Sequence, residues 1–416
     1  MRRSTDVRTE ATQRKIALFG AFGVGNLGNE CTLQALLYNI RKHVPDAEIS
    51  CICQGPEETR SAYNIPASLI KEVPLSPVNN RILRSLRRIL VGIPLELFRW
   101  FKAIATLKDV NMLVMTGTGM LGDFGIAPLG LHYEILKWTV AAKLCGCKVI
   151  FLSVGAGPLS QALSRRFVKA ALSCADYRSY RDHFSKDYLN SIGFDSERDH
   201  VYPDLAFSFP TAMLPRSSDK GSKKPVVGVG LMTYFNRRCT LREDEAIYND
   251  YIAKIGNFVN WLLERKYTVR LLIGDVTYDQ RAKQDLRTFI EKRGIGYENG
   301  RIIDEPAASV EEVLSQLAAT DLVVASRFHN VLLALMLGKP VLAISYHEKV
   351  DALMEEAGLA AFCQDIESID VEKMIRQFAT LEEQSNHIKQ QLNRKAEACR
   401  VALDEQHNRI FDILLT

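Results

Sequence analysis

The sequence is poor in cysteine, in charge of one sign and in long apolar runs. Nine cysteines in 416 residues, an odd number, exclude a disulfide scaffold. Cys51/Cys53 and Cys145/Cys147 sit one residue apart inside apolar runs. No C-x-x-C or Cys/His spacing of a zinc site accompanies them, so reduced, mostly buried thiols are expected. Lys+Arg 53 against Asp+Glu 49 leaves +4, too small a surplus for a general nucleic-acid binder. No uninterrupted apolar run approaches the ~20 residues of a membrane span. The first 15 residues are polar and lack the apolar core of a secretory leader. Together these absences predict a cytoplasmic protein without metal, cofactor or nucleic acid, compatible with peripheral contact at the inner face of the membrane.

What is present is ordinary globular composition, 47% hydrophobic and 25% charged, which excludes a mostly disordered chain. At roughly 150 residues per domain the length suggests two domains. Residues 1–14 read as a disordered basic lead-in. A strand at 15–19, a glycine-rich turn, a helix carrying Leu33, Leu36, Leu37 and Ile40, and a strand at 48–53 form a doubly wound opening. Strands are predicted at 110–115 and 148–154, and more weakly at 175–180 and 200–202. Pro, Ser, Lys and Gly dominate 210–225, the best linker in the chain. Strand–helix alternation then restarts, with strands at 226–231, 268–273, 301–303, 321–325 and 340–344. The last ~40 residues carry a polar helical pattern. The expected architecture is α/β: two doubly wound Rossmann-like domains, 15–215 and 224–375, facing a cleft, followed by a helical segment at 376–416. Ligands of such sheets bind beyond the carboxyl ends of the strands.

Two segments at such ends carry chemistry. Gly23, Gly25 and Gly28 match the G-x-G-x-x-G letters, and the helix start after them offers N–H groups to an anion or a hydroxyl ligand. The second strand ends in Gln54, where a dinucleotide site needs an acid on the ribose, so NAD is a poor fit; a tight turn with no ligand is the plain alternative. Ser326, Arg327 and His329 fall between an apolar strand and the next helix. Arg supplies a planar fork for phosphate or carboxylate, and His a proton near neutral pH. The competing reading pairs Arg327 with a structural carboxylate and makes His329 a capping side chain. Lys349, after the following strand, is a further cation for the same anion or a solvated lysine.

Taken in order, these segments resemble the polysaccharide pyruvyltransferase family. The likeness rests on the G-x-G-N-x-G-[DN]-E opening from Gly23 to Glu30, with Asn26, and on Thr116-Gly-Thr-Gly119 with Asp123. It continues through Ser153-Val-Gly155-Ala-Gly157-Pro158, Arg181-Asp182, Pro203-Asp204, Ser326-Arg-Phe-His329, Gly338-Lys-Pro340 and Tyr346-His-Glu-Lys349. It spans roughly residues 15–360. The family opening more often carries Asp where this chain has Asn29. The resemblance implies a fold like the GT-B glycosyltransferases, phosphoenolpyruvate as donor, and a sugar or lipid-linked oligosaccharide as acceptor. It implies Arg327, Arg181 and Lys349 as donor contacts and His329 as general acid. Asp123, Glu30 and Asp204 then become the groups that deprotonate or orient the sugar, and Ser326, Gly25, Asn26, Gly28 and Gly119 line the substrates. The competing classes are a nucleotide-sugar glycosyltransferase on the same scaffold and a non-catalytic glycan-binding relative.

Residues 81–102 alternate Arg with Ile, Leu, Phe and Trp. The first expectation is a pair of helices packed on the sheet with arginines in water. The second is peripheral contact of this stretch with an anionic bilayer.

Overall fold

A computed structural model describes residues 13–71, 88–122, 127–215, 225–234, 245–293 and 300–415. The N-terminal lead-in, most of the 210–225 linker and Asp123 lie outside these residues.

Among the described residues, thirteen strands form two all-parallel sheets. The first holds β1 (Lys15–Gly20), β2 (Glu48–Cys53), β3 (Ala67–Leu69), β4 (Met112–Met115), β5 (Lys148–Val154), β6 (Tyr177–Tyr180) and β7 (His200–Val201), in the order 3-2-1-4-5-6-7. The second holds β8 (Val226–Gly230), β9 (Thr268–Leu272), β10 (Ile302–Ile303), β11 (Leu322–Ala325), β12 (Val341–Ser345) and β13 (Cys363–Asp365), in the order 10-9-8-11-12-13. Each is the doubly wound order, with its topological switch beside the first strand. Helices cover both faces, which explains the unbroken apolar runs: β4, β11 and β12 are buried along their whole length. The expected two-domain α/β class is therefore the observed one. The edge strands β3 and β13 were not anticipated, because three residues are too few to show a period.

One hydrophobic cluster runs from Ile16 through Val229 and Leu333 to Phe411, so the two halves share a core. The closing helix Ser385–Leu415 accounts for this. At about 1.5 Å per residue its 31 residues span about 46 Å. Its start packs on the second half, where Gln391 bonds the Ala357 carbonyl. Its end returns to the first half. There Gln406, fully buried, accepts from the Ser153 hydroxyl at 3.1 Å and donates to that of Ser179 at 2.7 Å. Ser153 itself is held at φ 46°, a left-handed conformation costly for a non-glycine residue, at the end of β5 where the crevice begins.

Because every strand is parallel, the carboxyl ends of each sheet share one edge. Gly25 follows β1, Gly155 follows β5, Arg181 follows β6, Asp279 follows β9, Arg327 and His329 follow β11, and Lys349 follows β12. Topology alone gathers residues more than 300 positions apart onto facing edges.

Candidate active site

The glycine-rich turn works as a clasp between the halves. Asn26 bridges Asp275, the Leu27 N–H donates to the Gly274 carbonyl at 3.1 Å, and the Val276 N–H donates to that of Gly25 at 2.9 Å. The Asn26 side chain caps the helix Leu27–His43 by accepting from the Asn29 N–H at 3.2 Å. Two of the donors expected to greet an anion are thus committed within the protein. The glycines serve close approach of protein to protein. A Cβ on Gly23 would stand 2.0 Å from the Gly55 carbonyl oxygen, and one on Gly28 would stand 1.8 Å from Cγ of His329. Glu30, expected to handle a sugar proton, instead fastens this turn: its carboxylate accepts from the Gly23 N–H and from the Tyr63 hydroxyl, both at 2.7 Å. Burial pushes its pKa up against those two bonds. Asn29 donates to the Ala21 carbonyl at 3.1 Å, a bond that the Asp more usual at this position cannot make.

Across the clasp, Arg327 occupies the N-cap position of the helix Phe328–Met336. Its guanidinium forks onto Asp279, Nη2 at 2.6 Å and Nε at 2.9 Å. Burial opposes that charge, but Asp279 outweighs it and holds Arg327 protonated. Asp279 is fully buried and also accepts from the N–H groups of Thr233, Gly274 and Asp275. The competing reading of Arg327, a structural pair, therefore describes two of its three nitrogens. Ser326 turns its hydroxyl to Tyr251 at 2.9 Å.

Arg181 enters from the first half. It lies over Gly155, where a Cβ would stand 2.6 Å from its Cζ, and stacks on the Phe328 ring at 4.3 Å. Its Nε meets Asp182 at 3.2 Å and its Nη1 meets Asp204 at 3.4 Å. Asp204 also caps the turn after Pro203 by accepting from the Ala206 N–H. Burial raises the pKa of Asp204, with Arg181 opposing. Lys349 brings its Nζ to 5.6 Å from the same Phe328 ring and 5.0 Å from that of Tyr346. One aromatic ring thus serves two cations.

His329 sits amid these groups. It is the second residue of its helix and its ring lies against the start of the helix Leu27–His43, so two helix N-termini converge on it. Burial first, then Arg181, Lys349 and Arg327, press its pKa down to about 3. Its Nε2 is buried and has no hydrogen-bond partner among the described residues. The side chain of the adjacent Asn330 is likewise buried without partners among them. Of the carboxylates nearby, Asp279, Asp182 and Asp204 are bound to the arginines, and Asp275 accepts from the N–H groups of Thr277 and Tyr278. Beyond Phe328 a cavity of about 350 Å³ opens between the two halves and the closing helix, walled by Arg181, Asp204, Phe207, Phe328, Leu392 and Ala396. Gly119 lies in the turn after β4, beside the pairing of Leu121 with Ala156.

The sequence profile of polysaccharide pyruvyl transferase matches residues 26–348, from the clasp to the first turn after β12. The chain belongs to the polysaccharide pyruvyl transferase family. A curated relative is the amylovoran biosynthesis protein AmsJ of Erwinia amylovora, 20% identical over 93% of this chain and 96% of that one. Together they place the protein among polysaccharide-modifying transferases. Solved structures agree on the fold. A putative UDP-N-acetylglucosamine 2-epimerase from Listeria monocytogenes aligns with TM-score 0.60 at 13% identity over 96% of this chain and 95% of that one. A glycosyltransferase from Rickettsia africae aligns with TM-score 0.58 at 10% identity over 97% and 98%. These identities speak for the GT-B-like architecture alone.

Three residues of the site escaped the sequence reading. Asp279 was legible only as a helix start, since its Arg327 partner lies 48 residues on. Gly155 read as a strand end, and its role is the space it leaves for Arg181. Phe328 stood only as one letter of the Ser-Arg-Phe-His segment, and it is the shared platform of two cations. In the family's glycine-rich opening, Gly28→Ala should displace the His329 ring, because a Cβ at 1.8 Å cannot be accommodated. Turnover should fall about 100-fold or more while the urea midpoint shifts much less, since catalytic geometry tolerates only small misplacement. Steady-state rates beside urea unfolding check this.

Proposed function

We propose that the protein transfers a pyruvyl group from phosphoenolpyruvate to a pair of sugar hydroxyls, forming a cyclic ketal and releasing phosphate. The observation that carries the reading is the neutral imidazole of His329, with an unpartnered Nε2, amid Arg181, Arg327 and Lys349. Carboxylates already hold Arg181 and Arg327, and a small ligand bearing both carboxylate and phosphate meets the same cations together with Lys349. Asn330 stands ready to bond the same ligand.

In the first step His329 gives a proton to the donor methylene carbon, and C2 becomes cationic. One sugar hydroxyl adds to C2 and loses its proton. The second hydroxyl then displaces phosphate, whose C–O bond breaks with the electron pair; the hydroxyl's proton leaves with the phosphate, and the ketal closes. The cavity beyond Phe328 suits the acceptor: a pyranose has apolar faces for Phe207 and Phe328 and hydroxyls for Asp204. The buried carboxyl of Asp204, its pKa raised, is suited to take a hydroxyl proton. Asp123 is the second candidate for that task.

Proton linkage tests the reading. Near pH 6 the ligand-free His329 is neutral, because its pKa lies near 3. Donor anions screen the cations that depress it, so its pKa rises on binding and the complex takes up a proton. Calorimetry with phosphoenolpyruvate in buffers of different ionisation enthalpy should register that uptake, and His329→Ala should abolish it. Thermal shifts against UDP- and GDP-sugars run alongside. Stabilisation by a nucleotide sugar and none by phosphoenolpyruvate would make this a glycosyltransferase. Donor binding with no turnover on any acceptor would favour a glycan-binding relative.

A further inference from the structure

The helix Ile93–Leu107, entered through the π-helical turn Arg88–Gly92, is mounted inside out. Glu96, Arg99 and Trp100 turn their polar atoms toward the protein, and Lys102 faces out. Glu96 accepts from the Tyr133 hydroxyl at 3.0 Å and from Lys137 at 3.2 Å, and Arg99 closes on Glu96. Trp100 donates from its indole to the same Tyr133 hydroxyl at 3.0 Å. Lys137 is anchored by Glu134 at 2.7 Å, both side chains being almost wholly buried. The bulky apolar side chains face out. Leu90 and Phe101 are each 70% exposed and Leu97 66%, with Ile93 and Phe98 more than half exposed and Val91 beside them. A helix meant for water shows the reverse arrangement. Soluble proteins seldom leave so many large hydrophobes contiguous on the surface without a partner for them.

We propose that this ridge inserts into the interface of an anionic lipid bilayer. The charge pattern selects that occupant. From 73 to 108 the sequence carries seven cations, Arg81, Arg84, Arg87, Arg88, Arg99, Lys102 and Lys108, against the single carboxylate of Glu96, which is turned inward. The outward surface from Leu90 to Lys102 therefore has apolar groups, the cation of Lys102 and no acid, the composition of a helix lying in a headgroup layer. Its shape agrees. The residues from 90 to 101 make a ridge only about 17 Å long, one helix wide, too little to bury the ~800 Å² per partner of a stable protein interface. No helix among the described residues is long and apolar enough to cross a membrane, so the contact is one of lying on the surface. The ridge also sits well for a membrane-borne substrate. Leu107 leads into the start of β4, so the opposite end of the helix, with Leu90 and Ile93, stands at the strand edge from which the active-site loops rise.

The test is flotation of the full-length chain with two vesicle types, phosphatidylcholine alone and phosphatidylcholine with about 30% phosphatidylglycerol. The wild type should float with the anionic vesicles, and the triple variant Leu97→Ser, Phe98→Ser, Phe101→Ser should bind them at least about tenfold less. Circular dichroism and the unfolding midpoint of the variant should match the wild type, since none of the three side chains is buried. Wild type that floats with neither vesicle overturns the proposal. So does a concentration-dependent dimer, seen by sedimentation, that the triple variant loses, because a second copy then covers the ridge. The readout needs no turnover, so it stands or falls independently of the donor assignment.

Discussion

Replacing His329 by Ala should lower kcat for phosphate release from phosphoenolpyruvate by about 10²–10⁴, the usual contribution of a positioned general acid. The donor KM should change far less, because on the proposed reading Arg181, Arg327 and Lys349, not His329, would hold the carboxylate and phosphate. The physical reason is that carbon protonation needs a proton delivered within a cleft where the arginines stay charged and Lys349, its pKa lowered by burial, is bonded to Tyr346. Arg327 is held by Asp279 and Ser326 by Tyr251, and Glu30 by Gly23 and Tyr63. Phosphate release with a sugar acceptor, measured on the purified variant, checks it. Wild-type turnover in His329→Ala would remove the imidazole from the chemistry and with it the mechanism above.

Asp279→Ala should destabilise the second half by about 3–5 kcal/mol, the range for stripping one partner from a buried ion pair. The loss has two sources. Arg327 is left charged beside Arg181 and Lys349 with its counter-ion gone. Three backbone N–H groups, those of Thr233, Gly274 and Asp275, lose their acceptor as well. Adding Arg327→Met should recover part of the loss, because it removes the uncompensated charge but not the orphaned N–H groups. Urea unfolding of the single and double variants provides the cycle. If Asp279→Ala unfolds at the wild-type midpoint, the pair contributes nothing to the fold.

The two predictions touch residues of opposite legibility. His329 could be found in the sequence because an Arg-x-His placement at the end of an apolar strand is itself a chemical pattern. Asp279 could not, because nothing local distinguishes it from an ordinary helix-starting Asp; its meaning is its distance to Arg327. The same holds for the glycine-rich opening. Its letters announce a tight turn, and positive φ at Gly23 and Gly25 agrees. Whether the space above the turn admits a phosphate or another part of the chain depends on where the second half docks, and here Gly274 and His329 occupy it. The stretch 81–102 is a third case. Alternating Arg and bulky apolar residues are compatible with a helix packed either way round, and only the buried Lys137 and the half-buried Tyr133 on the neighbouring helix decide that Glu96 turns inward.

By itself the sequence determined the alternation of strand and helix, hence two parallel sheets, and therefore the edge on which every reactive residue must stand. That follows because backbone pairing and side-chain period are local, and a parallel strand always delivers its next loop to the same side. Tertiary structure alone decided which of those residues meet. It chose which carboxylates neutralise which arginines, and left His329 as the imidazole that three cations surround. Charge balance within a buried cleft is a sum over groups hundreds of residues apart, and no window of sequence contains its terms.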